Sequence, residues 1–68
     1  MSISYKKLWK LLIDKNMKKK DLQKAAGLSS ASITKLGKNE NVNTETLAKI
    51  CNALQCDVCD IMEMVDDD

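Results

Sequence analysis

The sequence predicts an all-α fold, a compact bundle of five short helices, and three observations lead there. The 68 residues contain no proline, two glycines and only one tryptophan and one tyrosine. That composition lacks the turn and aromatic residues of a β-sandwich or barrel. Leucine, isoleucine, lysine, alanine and methionine dominate instead, and these favour helix. Apolar residues also recur at three- and four-residue spacing along most of the chain. A chain of this length forms one domain, here residues 1–68, with a modest core and a narrow margin of stability.

The first helix is expected from a cap at Ser4 to about Asn16. Leu8, Leu11, Leu12 and Lys15 lie along one side, and Trp9, Leu12 and Ile13 form an adjoining apolar stripe. A face this wide either packs beneath another segment or meets a second subunit. The second helix is expected at about 19–26. Lys18, Lys19 and Lys20 crowd its N-terminus, where the helix dipole disfavours cations, and Asp21 offsets this in part. A phosphate beside those lysines and the free amides is stabilising. The alternative is a turn kept soluble by its charge.

Gly27 supplies a positive-φ end to that helix, and Ser29 caps a third helix at about 30–37. Leu22, Ala25, Ala26, Leu28, Ile33 and Leu36 are spaced to pack the two helices across one tight bend. Ser30, Ala31, Thr34 and Lys35 are left with nothing to bury. Short polar and cationic side chains on a projecting helix suit the major groove of DNA. Asn39 follows in a position that favours left-handed backbone.

Asn43 is expected to cap a fourth helix that buries Leu47, Ala48, Ile50, Cys51 and Leu54. Asp57 then caps a short fifth helix with Val58, Ile61, Met62 and Val65 inward, and Asp60 favours its start. Asp66, Asp67 and Asp68 form an acidic, frayed tail.

The net charge of +1 conceals a segregation. All eleven basic residues are lysines and lie at or before Lys49; against four acids they give the first 49 residues a charge of +7. The remaining 19 residues hold six acids and no base, a charge of −6. A basic pole is what a polyanion-binding surface needs, although lysines are also common on solvated helices. With no histidine and no arginine, the chain has no Ser-His or Cys-His pair and no guanidinium clamp for phosphoryl groups. Its two glycines are isolated, so no phosphate-cradling loop is present. No enzyme activity and no cofactor are expected. No apolar run nears the roughly 20 residues of a membrane span, and no signal-peptide core is seen. A cytoplasmic protein is the resulting expectation.

These residues together resemble the Cro/CI-type helix-turn-helix domain, the XRE family, from about Leu8 to Met62. The family's leucine, then a glycine, a hydrophobic residue and a serine or threonine correspond to Leu22, Gly27, Leu28 and Ser29. Ile33 stands at the family's buried isoleucine, and Leu47, Leu54, Val58 and Ile61 match apolar positions of the last two helices. More narrowly, the chain is similar to short stand-alone Gram-positive regulators of the VanU type. The resemblance implies base reading by Ser30, Ala31 and Lys35, with Thr34 nearby. It implies phosphate contacts from Lys19, Lys38, Asn41 and Asn43, to which Lys18, Lys20, Ser29, Ser32 and Asn39 are added as neighbours. The chain departs from the family at Gln23, where a small alanine is common, and at Gly37, where many members have glutamate. It also lacks arginine, so its contacts are point charges rather than bidentate pairs.

Cys56 and Cys59 form a CxxC, with Cys51 upstream. A zinc site needs a fourth ligand and no histidine is available, so no metal is expected. The structural reading puts Cys51 on a buried stripe, Cys56 before the last helix and Cys59 outward. The functional expectation is a transcriptional regulator that binds double-stranded DNA, acting as a homodimer on a palindromic operator. Its dimer surface is expected on the last helix with Trp9 and Ile13. A protein-interaction adaptor and a thiol- or metal-responsive switch are the competing classes, and no small-molecule ligand is evident.

Overall fold

In the computed structural model, which describes residues 1–67, four α-helices pack around one core and a small sheet joins the two ends of the chain. In order these are β1 (Ser2–Ser4), α1 (Lys6–Asp14), α2 (Lys19–Ala26), α3 (Ser30–Gly37), α4 (Thr44–Leu54), a 3-10 turn (Val58–Asp60) and β2 (Glu63–Val65). The core consists of Tyr5, Leu8, Leu12, Leu22, Ala26, Leu28, Leu36, Ile50, Leu54 and Ile61. Each helix thus contributes one or two fully enclosed aliphatic side chains at helical spacing, which is how short helices gain stability they lack alone.

The expected fifth helix does not form, and the fold is not wholly α. Asp57 does cap the segment: its carboxylate accepts from the Val58 amide at 2.6 Å, and Asp60 accepts from the Asp57 amide at 2.9 Å. The turn stops there. Only Ile61 is fully buried, Met62 is half-buried and Val58 is exposed, contrary to its expected inward position. The chain then extends, and Glu63–Val65 pairs antiparallel with Ser2–Ser4 in the register Ser2↔Val65, Ile3↔Met64 and Ser4↔Glu63. Backbone groups that a fifth helix would have satisfied internally are satisfied across this ladder. Lys7 fastens the junction, its ammonium donating to the Cys59 carbonyl at 3.1 Å and lying 3.7 Å from Glu63. The Met1 ammonium meets Asp67 at 3.0 Å. Of the acidic tail, Asp66 and Asp67 are exposed, and Asp68 lies outside the described residues.

The sheet also alters the start of α1. Ser4 belongs to β1, so Tyr5 takes the N-cap position and the helix begins at Lys6. The Ser4 hydroxyl still accepts from the Lys6 amide at 3.3 Å. The helix ends at Asp14, two residues before the expected Asn16, and Asn16 turns the chain with a φ of 55°. On this helix Leu8 and Leu12 are buried, Leu11 and Trp9 are half-buried, and Ile13 is 73% exposed.

Two further positions depart from the expected packing. Ala25 and Ala48 are exposed. Thr46 is buried in place of Ala48, which is possible because its hydroxyl donates to the Asn43 carboxamide oxygen at 2.8 Å. That oxygen also accepts from the Thr46 amide at 2.8 Å, so Asn43 caps α4 as expected.

Candidate nucleic-acid interface

α2 and α3 occupy the residues at which the two central helices were expected, 19–26 and 30–37. Local chemistry sets both ends of the bend between them. Asp21 accepts from the Lys18 amide at 2.8 Å, satisfying a free donor at the start of α2 and placing a carboxylate among three lysines. At its other end Gly27 adopts φ 67°, ψ 41°, and the Leu28 amide donates to the Gln23 carbonyl at 2.9 Å. Leu28 is buried and anchors the turn. Ser29 then caps α3, its hydroxyl oxygen accepting from the Ser32 amide at 3.2 Å and lying 3.1 Å from the Ser32 hydroxyl.

α3 buries Leu36 completely and Ile33 in part, which turns its opposite side outward. Ser30, Ala31, Thr34 and Lys35 are all exposed there. Their i, i+1, i+4, i+5 spacing puts them on one face. The Thr34 hydroxyl donates to the Ser30 carbonyl at 3.0 Å, so it meets an incoming group as an acceptor. Ser30 and Lys35 keep their donors free of hydrogen bonds to the described residues.

Lys18, Lys19 and Lys20 at the start of α2 and Lys38 after α3 are exposed as well. Among the described residues the ion pairs involve Met1, Lys7 and Lys49, not these four lysines or Lys35. Lys19 is nevertheless held: its Nζ lies 4.7 Å from the centre of the Trp9 ring. Asn39 has φ 57°, as expected after α3, and its carboxamide oxygen accepts from the Tyr5 amide at 3.0 Å. This leaves its NH₂ group as the part able to meet a phosphate. The same holds for Asn43, whose oxygen is committed to the α4 cap. Asn41 is exposed, Ser29 is exposed at the cap, and Ser32 is half-buried. The geometry therefore brings Ser30, Ala31, Thr34 and Lys35 onto one face. It places the lysines and asparagines at the flanking helix ends and in the 38–43 connector.

Two residues bear on this surface in ways that the sequence does not show. Trp9 was read as core or subunit contact, and Tyr5 was not singled out. Tyr5 is buried, and its hydroxyl donates to the Glu40 carbonyl at 2.9 Å, fixing the connector after α3. Being the chain's one tyrosine beside a helix start was the available signal.

The cysteines lie apart from this face. Cys51 and Cys56 are half-buried against the core and Cys59 is exposed. Burial, with Cys51 alongside, pushes the Cys56 thiol up to about 11. Among the described residues no group of three or more His, Cys, Asp or Glu side chains is placed to hold a metal ion. Cys56 and Cys59 line a groove of about 400 Å³ between α1 and residues 54–60, together with Lys7, Lys10, Asp14 and Lys15. No residue of α2 or α3 lines it. No described helix is long and apolar enough to cross a membrane.

Comparison with known proteins agrees with this geometry. The family model of the Cro/C1-type HTH DNA-binding domain matches residues 7–67. Among solved structures, the transcriptional regulator VanUg, in its crystal form II, is similar at a TM-score of 0.93 and 52% identity, over 97% of this chain and 88% of that one. No curated protein sequence matches significantly. With the glycine turn, the capped third helix and a family match along nearly its whole length, the chain belongs to the Cro/C1-type helix-turn-helix DNA-binding family.

Proposed function

We propose that this protein is a sequence-specific transcriptional regulator that represses promoters, its own included, by occupying a palindromic operator as a homodimer in the cytoplasm. The observation that carries the reading is the outer face of α3. Ser30, Ala31, Thr34 and Lys35 are exposed together, and exposed lysines at the start of α2 and after α3 make no ion pair among the described residues. In the mechanism, Lys18, Lys19, Lys20 and Lys38, with the hydroxyls of Ser29 and Ser32 and the side-chain NH₂ groups of Asn39, Asn41 and Asn43, engage phosphates and set the register. α3 then enters the major groove. Lys35 donates to guanine O6 and N7, Ala31 meets a thymine methyl, and Ser30 and Thr34 contact adjacent base edges.

One such helix reads few bases, so two copies are needed, with half-sites about 34 Å apart or a multiple of that. As no last helix forms, the proposed dimer surface is assigned to the 3-10 turn and β2. Exposed Val58 and Met64 lie there, with Ile13 on α1 as a further apolar contact. The acidic residues 57–67 then lie away from the phosphates.

Titration of the purified chain onto the DNA flanking its own gene tests this reading, with random DNA as competitor and Lys35→Ala as control. The expected result is preferential, salt-sensitive binding that Lys35→Ala weakens. Equal affinity for random DNA would reject base reading and favour an adaptor role.

A further inference from the structure

We propose that Trp9 is a positioning residue for phosphate binding: its indole holds the Lys19 ammonium beside Gly37 at the end of α3. The inference rests on the DNA-binding reading above and gives one lysine of the basic cluster a defined place. Lys19 Nζ lies 4.7 Å from the Trp9 ring centre, inside the range of a cation–π contact. A β-carbon built on Gly37 would lie 3.6 Å from the same nitrogen. A single ammonium therefore links three helices: it is borne by α2, rests on a side chain of α1, and lies beside Gly37 of α3.

Each of these neighbours has a physical consequence. Lysine is a flexible point charge, and ordering it on a phosphate normally sacrifices rotamer freedom. The indole has already restricted Lys19 in the free protein. An ammonium has three N–H donors, and those turned away from the ring stay available to a phosphate. The C-terminal end of α3 carries partial negative charge, which favours a cation there. A β-carbon at position 37 would meet the ammonium only at ordinary contact distance, but a carboxylate there would neutralise it. Lys18 and Lys20, its sequence neighbours, have no comparable support among the described residues. The ammonium beside Gly37 and the Lys38 that follows form two cations at the end of the helix proposed to read bases. The phosphate they would share is the one flanking that groove.

A double-mutant cycle on a random-sequence duplex tests the proposal, since phosphate binding needs no operator. Wild type, Trp9→Leu, Lys19→Ala and the double variant are titrated over a salt series. Lys19→Ala is expected to lower the log–log salt slope by about 0.9. Trp9→Leu is expected to weaken binding about two- to fivefold, within the cost of ordering one flexible side chain on binding. In the Lys19→Ala background the same Trp9→Leu change is expected to have no effect. Trp9 is the only tryptophan, so its emission should shift on DNA binding in the wild type and not in Lys19→Ala. Should Trp9→Leu lose its fold, Trp9→Phe carries the cycle, with a smaller loss that again vanishes without Lys19. Equal losses from the Trp9 change in both backgrounds would show a merely structural role and overturn the proposal. Failure of the wild type to bind the duplex at low salt would overturn the DNA-binding reading and this inference with it.

Discussion

The Tyr5 hydroxyl donates to the Glu40 backbone carbonyl at 2.9 Å, joining the residue before α1 to the connector after α3. The Tyr5 amide donates to Asn39 at 3.0 Å, so one residue grips two successive positions of that connector. Tyr5→Phe removes the donor and leaves a part-buried carbonyl unpaired. The expected loss is about 1–2 kcal/mol in urea denaturation, and unchanged stability would contradict the assigned bond. Burial raises the phenol above its ordinary value of 10.0, with a backbone hydrogen bond from Val42 acting the other way. Because the folded value exceeds the unfolded one, the contribution of the neutral phenol is complete below pH 10 and is lost as pH rises through the folded value. Tyrosinate absorbance reads this transition directly, as the chain has one tyrosine.

Two helix ends are expected to answer glycine and alanine in opposite ways. α2 ends on Gly27 at φ 67°, with nothing within 4 Å of an added β-carbon. Gly27→Ala therefore meets no clash, and its expected cost of about 1–2 kcal/mol comes from left-handed backbone alone. α4 ends on Gln55 at φ 53°, where a residue with a side chain bears that cost already. Gln55→Gly is expected to be stabilising by up to about 1 kcal/mol. Thermal melts of the two variants shifting in the same direction would refute the argument.

Lys35 and Lys38 are close in sequence but are assigned different work. Lys35→Ala should cost about 1–3 kcal/mol on a specific site and relax discrimination at one base pair. Lys38→Ala should weaken specific and random DNA alike and reduce the salt slope by about 0.9. Selection of preferred sequences by each variant, combined with salt titrations, separates the two. Identical site preferences for wild type and Lys35→Ala would remove Lys35 from the base-reading set.

The thiols should differ in reactivity. Cys59 is exposed, whereas Cys56 is half-buried with its thiol pushed up to about 11 by burial and by Cys51 beside it. Iodoacetamide near neutral pH is expected to label Cys59 first. Labelling of Cys56 should rise about tenfold per pH unit towards pH 11, as its thiolate fraction does. Peptide mass spectrometry gives each rate, and equal labelling at neutral pH would count against the burial of Cys56.

Where the structure depends on neighbours in sequence, the sequence was a good guide. The bounds of α2 and α3 follow from Gly27, Ser29 and the spacing of Leu22, Leu28 and Leu36, all within one local bend. The cap at Asn43 is local in the same sense. The last segment was misread because Val58, Ile61, Met62 and Val65 have helical spacing, yet Glu63–Val65 finds its partner at residues 2–4. No window on either segment contains that pairing. Thr46 was missed because its burial depends on one hydrogen bond to Asn43, and Ala48 was overcounted because a small apolar residue is easily left outside. At the candidate site the exposed face of α3 was legible from what it could not bury. The seat of Lys19 on Trp9 was not, since it joins two helices whose relative placement no spacing reveals.

The sheet at the chain ends bears on the order in which the protein assembles. Ser2 and Val65 are paired although nearly the whole chain separates them. Closing so long a loop has a large entropic cost, whereas each helix and the bend at Gly27 close over a few residues. The strands are therefore expected to join after the helices have condensed, so that substitutions in them alter the rate of unfolding far more than the rate of folding. They are also expected to open first, with their amides exchanging with solvent ahead of those of α2 and α4.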